Sequence, residues 1–301
     1  MLFDLRHRLL GNAAAILLLT TSCGDTTAIR GAAVWQYQDF VLRLEANNPD
    51  SITAARVRFL DSTSALNAED AELLYMVFRK FYFASIETIN TELSELQSAG
   101  RIDWGEYGTN RKAEQAFDQK LARNGLTRRV TEGSDYVDES VGYHLKEFGP
   151  YVSESVRSFL SLRDAERQLA FQEDASLQVT FQVVASRCVS WEEFLSKYPK
   201  SAIANEALSL FEIYLDTLLN GTNNTRVLQS NREYVDPVVA HSIDDAYTWI
   251  LTEHSTSIVA FWIKQYYPLV KNSGFTTTDE ISALLHTRGA GGKDDLRRFL
   301  R

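Results

Sequence analysis

Apolar residues recur every three or four positions along most of this chain, the spacing of helices that each turn one face to a core. The longest such stretch runs from Asn67 to Gly100, where Leu74, Phe78, Phe81, Ile89, Leu93 and Leu96 form one stripe. Asn67 stands as its N-cap, Glu69, Asp70 and Glu72 complement the positive end of the dipole, and Gly100 suits the C-terminal cap. The same spacing predicts helical structure from about Ala32 onward. It further predicts helices over Tyr151–Glu173, Trp191–Tyr198, Ala202–Leu219, Ile243–Glu253, Ser257–Lys271 and Thr278–His286. Strand character is confined to Leu126–Thr131 and Tyr136–Val137, on either side of Glu132-Gly-Ser, as one small hairpin. The expected fold is all-α, an array of antiparallel helical hairpins with at most one small β-hairpin near 126–137.

One local pattern recurs. Phe194-Leu-Ser-Lys-Tyr-Pro-Lys-Ser201-Ala-Ile-Ala204 aligns with Ile250-Leu-Thr-Glu-His-Ser-Thr-Ser257-Ile-Val-Ala260, and Leu44–Val57 fits the same template around Ser51 and Ala54. Each window closes one helix, turns, and offers a serine to cap the next. The small alanine three residues later lets two helices approach closely. These windows resemble part of a tetratricopeptide-type repeat, in which an aromatic-x-x-x-Tyr-Pro-x-Ser-x-x-Ala motif joins two helices. The window at 194–207 carries the motif best. Those at 44–57 and 250–263 lack the Tyr, the latter also lacks the Pro, and the offset of 56 residues differs from that repeat's ~34. The resemblance implies a helical-hairpin scaffold that binds proteins or peptides, as in envelope-assembly lipoproteins.

The N-terminus has a different organisation. Arg6 and Arg8 precede an uninterrupted apolar run of only Ala13 to Leu19, far short of the ~20 residues a membrane-spanning helix needs. Small residues follow, ending in Thr20-Thr-Ser-Cys23, which is the layout of a cleaved signal. This segment resembles the lipobox of bacterial lipoproteins, where the peptidase cuts before an acylated cysteine. Thr20 occupies the position where that family usually has leucine, and Leu19 lies one step earlier. The resemblance implies a signal peptide over 1–22, lipid attachment at Cys23 and a tether over 23–30. A diacylglycerol thioether with an N-acyl chain is enough for stable anchoring, which takes two or more chains. An ordinary secretory signal with a chance cysteine is the alternative. Gly24, rather than the aspartate that marks inner-membrane retention in some families, favours the outer membrane of a bacterial envelope.

Removing residues 1–22, which carry a net +1 from Asp4, Arg6 and Arg8, takes the charge from −9 to −10. So acidic a chain is a poor partner for nucleic acid, whose affinity rests on Lys and Arg neutralising phosphates. A hydrophobic content of 45% implies a real core over 31–288, with possible sub-lobes 31–150 and 151–288 and a charged tail at 289–301. With Cys23 acylated, Cys188 has no cysteine to pair with and reads as a buried core residue.

Little in the chain has the spacing of catalysis. Outside the signal there are four histidines, none in a His-Glu-x-x-His arrangement, and no cysteine pair, so neither a metal site nor a cofactor is expected. The strongest local candidate is Glu132-Gly-Ser-Asp135-Tyr-Val-Asp138-Glu139. Paired carboxylates there would suit acid–base hydrolysis with Glu132, Asp135 and Asp138 as the acting groups. A hairpin turn followed by acids at a helix start accounts for the same residues. Trp104, Tyr107 and Tyr136 are candidate binding aromatics, while Trp249, Trp262, Tyr266 and Tyr267 fall at core-like helical spacing. The expected function is a non-catalytic, membrane-anchored scaffold for a protein, peptide or glycan partner. An envelope hydrolase and a small-ligand-binding lipoprotein are the alternatives.

Overall fold

The computed structural model describes residues 26–63, 66–102, 104, 110–131, 133–229 and 236–288, with backbone alone for 26–30. Cys23, Tyr107, Glu132, the signal segment and the tail at 289–301 lie outside the described residues. The architecture is mostly helical, as the periodicity predicts. Helices α1 (Thr26–Leu42), α2 (Pro49–Thr63) and α3 (Ala68–Ser98) open the chain, followed by α4 (Arg111–Arg123). A hairpin of β1 (Leu126–Thr131) and β2 (Ser134–Glu139) leads to α5 (Tyr143–Phe148) and α6 (Glu154–Gln168). After β3 (Gln172–Glu173) and β4 (Ser176–Leu177) come α7 (Phe181–Lys197), α8 (Ala204–Asn220), α9 (Pro237–Glu253) and α10 (Ile258–Asn272). A last helix, α11, spans 279–288.

Helix α3 forms for the reasons its sequence carries. The Asn67 side chain accepts from the Asp70 amide at 2.9 Å, and Gly100 takes the left-handed conformation (φ +64°) just past the C-terminal end. Leu74, Phe78, Phe81, Ile89 and Leu93 are buried as expected, whereas Leu96 is half in solvent. Helices α1 and α2 pack on α3, and one continuous apolar cluster runs from Tyr37 to Ile281. Cys188 is fully buried within it.

Several boundaries differ from the sequence reading. Helix α1 begins at Thr26, so the residues expected as a polar tether to Arg30 are helical. Helix α7 starts ten residues before Trp191, because Thr180 caps it through the Val183 amide. Helix α9 starts at Pro237, where Asp236 caps and proline suits the first turn. Helix α6 is shorter than 151–173: Ser153 caps it, and β3–β4 adds a second, two-residue ladder that periodicity does not reveal. Helices α4 and α5 are also additions. They bury few apolar residues, Leu121 in α4 and Phe148 in α5, so their hydrophobic signal is faint.

Each serine-containing window does join two consecutive helices, but only Ser257 caps by its side chain, accepting from the Ala260 amide at 2.9 Å. Ser51 lies inside α2, where Asn48 serves the exposed amides, and Ser201 sits two residues before the Ile203 N-cap and bonds Ser155. Replacing Ser257 by alanine is expected to cost about 1 kcal/mol in urea unfolding, with Ser257→Thr recovering most of it. An unchanged midpoint in the alanine variant would show that the cap contributes nothing.

Candidate functional site

The β1–β2 hairpin pairs in register from Leu126↔Glu139 to Thr131↔Ser134. Asp135 and Asp138 are an odd number of residues apart, so they project from opposite faces of β2. On one face Asp135 meets Arg128, and Gln97 of α3 donates to its other oxygen at 2.7 Å. Arg128 also binds Glu114 and Asp118 of α4 and lies 5.5 Å from the Trp104 ring, which in turn packs on Phe117 at 5.0 Å. On the other face Arg167 donates to Asp138 at 2.9 Å, and Arg129 stands 3.4 Å from the same carboxylate. Tyr136 shares that second face, half-buried and opposite Arg129. The structure therefore does not bring Asp135 and Asp138 to one site, and it places Trp104 as a platform for Arg128.

Beneath the hairpin lies a polar cluster that no sequence pattern announces. His144, on α5, is fully enclosed by the rings of Tyr75, Phe78, Tyr82, Phe83, Tyr143 and Phe148, with centroids 4.5 to 6.1 Å away. Its Nδ1 is 3.0 Å from the Tyr75 hydroxyl, and its Nε2 is 3.8 Å from the Glu139 carboxylate. Arg167 reaches the Glu139 carbonyl at 2.7 Å and its carboxylate at 3.8 Å. Burial drives His144 well below the usual imidazole range, and the Arg79 and Arg167 guanidiniums add to the effect. Burial raises the Glu139 carboxyl, against the pull of Arg167 and Arg79. An enclosed, neutral imidazole in an aromatic box cannot reach a substrate; it holds α3, β2, α5 and α6 together.

The accessible surface features lie around α7. A cleft of about 470 Å³ opens between α6, α7 and α9, lined by Glu166, Gln182, Ser186, Arg187, Ser190 and Trp249. Glu166 accepts from Trp191 at 2.5 Å and from Arg163 at 3.0 Å, while burial raises its carboxyl. Arg187 ties to the Leu169 carbonyl at 2.7 Å. A second cleft of about 520 Å³ lies on the adjoining side of α7, lined by Glu192, Glu193, Ser196, Lys197 and His254 among others. There Glu192 receives the first amides of α10, Ile258 at 2.6 Å and Val259 at 3.1 Å, and burial raises its carboxyl as well. The Trp249 ring, which lines the first cleft, and the His254 ring, which lines the second, pack at 4.4 Å. Tyr266 is in the core, and Trp249, Trp262 and Tyr267 are half-buried against it.

Cys188 is buried, and burial pushes its thiol far above the ordinary range, so it is no nucleophile. Among the described residues, no group of His, Cys, Asp and Glu has the arrangement of a metal site, and no helix is long and apolar enough to cross a membrane. No protein-family model, curated protein or solved structure matches the chain.

Arg128→Met removes the cation shared by three carboxylates and is expected to cost about 3–5 kcal/mol in urea unfolding; a loss below 1 kcal/mol would mean the network is dispensable. His144 makes a pH signature. The unfolded chain takes up a proton near pH 6.5 that the folded chain refuses, so stability contributed by neutral His144 falls as pH drops below that value. Glu139 acts oppositely, because its raised folded-state value stabilises the protonated form and that contribution is lost as pH rises. Between pH 7 and 5 the wild type should therefore lose stability relative to His144→Phe, the two slopes differing by up to about 1.4 kcal/mol per pH unit. Parallel pH profiles would be incompatible with a buried neutral imidazole.

Proposed function

We propose that this chain is an envelope lipoprotein, anchored through acylated Cys23, whose helical body is a non-catalytic scaffold for a protein, peptide or glycan partner. The order of elements at the N-terminus supports the anchor: a basic start, a short apolar run, small residues, then Cys23 with helix α1 beginning three residues later. The observation that carries the scaffold reading is the pair of clefts beside α7. Their linings meet at the Trp249–His254 ring contact and include side chains already engaged within the protein, such as Glu166 and Glu192. An aromatic ring flanked by serine, glutamine and arginine suits the apolar faces and hydroxyl or amide groups of a sugar or peptide.

The hydrolase alternative has less behind it. Hydrolysis by two carboxylates needs both to flank one bond, one of them able to hold a proton. Asp135 and Asp138 face opposite ways, and each is occupied by an arginine.

Two measurements test the proposal. Cys23→Ser should move the protein from the membrane to the soluble fraction; retention in the membrane would refute the anchor. A photo-crosslinking residue at exposed Ser186, in native membranes, should capture a discrete partner that the same residue at exposed Lys112 does not. Equal capture at both positions, or none at either, would refute the clefts beside α7 as the binding face.

A further inference from the structure

Helix α1 has a core side and an outward side. Tyr37 and Val41 are buried, with the Tyr37 hydroxyl donating to the Ala55 carbonyl at 3.1 Å. Trp35 and Leu42 face the other way. They are 59% and 75% exposed, the most open large apolar residues on this part of the protein. Seven residues apart, they lie two turns from each other on one line of the helix, about 10 Å apart along its axis. Between them Asp39 is bonded to Arg43, one turn further on, so the one acid on this line carries its own counterion. Exposed Ala32 extends the same side toward the N-terminus.

The chain dictates what lies near this face. Thr26 is three positions after Cys23, a reach of about 10 Å even when fully extended. With Cys23 acylated, the first turn of α1 is held at the lipid headgroups. Trp35 is nine residues further on, about 14 Å along the axis, so a helix lying along the bilayer with its outward side down brings that ring to the headgroups. Tryptophan favours the headgroup level, where its ring sits between apolar and wet surroundings, and leucine favours the acyl boundary beneath. Without residues 1–22 the chain has a net charge of −10 and no general electrostatic attraction to anionic lipids, so apolar insertion is the contact this surface offers. We propose that the outward line of α1, carried by Trp35 and Leu42, lies in the headgroup region of the same bilayer that holds Cys23, and fixes how the helical body sits on the membrane. The inference rests on the anchoring reading above.

The test separates the contact from the anchor. The full chain, purified from membranes, is placed in phosphatidylcholine vesicles whose acyl chains carry bromine, a short-range quencher of tryptophan. The wild type is expected to lose a share of emission that Trp35→Phe does not, and Leu42→Asp should reduce that loss. Trp104, Trp191, Trp249 and Trp262 supply the same background in every variant. The mass of the N-terminal peptide shows independently whether Cys23 is acylated. If it is not, the anchoring reading fails, and the same quenching is read after coupling Cys23 to a maleimide lipid, which the buried Cys188 escapes. Equal quenching of wild type and Trp35→Phe overturns the contact, whatever the state of Cys23. So does a wild type whose Trp35 is shielded from the bilayer in a concentration-dependent dimer, which would give the face to a second copy.

Discussion

Arg79 carries a charge into the interior of the protein from the middle of α3, and the arrangement of the two halves depends on meeting it. Glu206 of α8 does so with both oxygens, each 2.5 Å from a guanidinium nitrogen, and Phe83 and Phe159 cover the cation at 4.8 and 5.7 Å. Residues 127 positions apart are thereby brought into one contact. A largely enclosed pair of this kind, its side chains 14% and 23% exposed, adds little net stability over a well-packed apolar pair, but leaving one member alone is costly. Alternative packings of α8 against α3 would strand Arg79, so the pair selects one arrangement.

The same logic repeats along α3. Tyr75 reaches His144, Tyr82 donates to the Gly125 carbonyl at 2.5 Å, and Asn90 makes two bonds with Val137 of β2, at 2.6 and 2.9 Å. In that last contact the Asn90 amide stands in for a neighbouring strand and blunts the free edge of β2. Gly125 permits this geometry: it adopts φ +73°, and a side-chain carbon there would fall 2.4 Å from the Tyr143 ring. The hairpin is small, yet it is clamped from α3, α4 and α6 by hydrogen bonds and ion pairs. Asp135, Asp138 and Glu139 are engaged in that clamp, which accounts for three of the acids without assigning them chemistry.

Around α7 the constraint is relaxed. Its inner face, with Phe181, Val184, Cys188 and Trp191, is buried, while its outer residues line the two clefts. Structure and anchor thus divide the proposed work between regions: α1 begins three positions after Cys23, and the clefts beside α7 are built from α6 onward. The polar-locked hairpin region built on α3 lies between them in the chain.

Much of the fold was legible in the chain. Helix periodicity placed α3, α8 and α10 close to where they lie, because a face that must be buried leaves a repeating trace, and strand character did the same for the β1–β2 hairpin. Asn67 and Ser257 were readable as caps, because a cap acts over three residues. Helix starts at Thr180 and Asp236 carried the same cue, a capping residue before a helical run, with weaker apolar spacing behind it. Helices α4 and α5 left almost none, since α4 buries a single apolar residue, Leu121, and α5 is six residues long with Phe148 as its one fully buried apolar side chain. The candidate carboxylates were visible as a cluster, but their fate was not. Whether Asp135 and Asp138 meet a substrate or an arginine depends on the strand register that sets Arg128 beside Asp135 and on α6, whose Arg167 reaches Asp138 from 29 positions away. The sequence alone determined the local elements, the short apolar leader and the cysteine that follows it. Only the tertiary structure decided which charges are spent on each other, because ion pairing over such separations leaves no periodic mark along the chain.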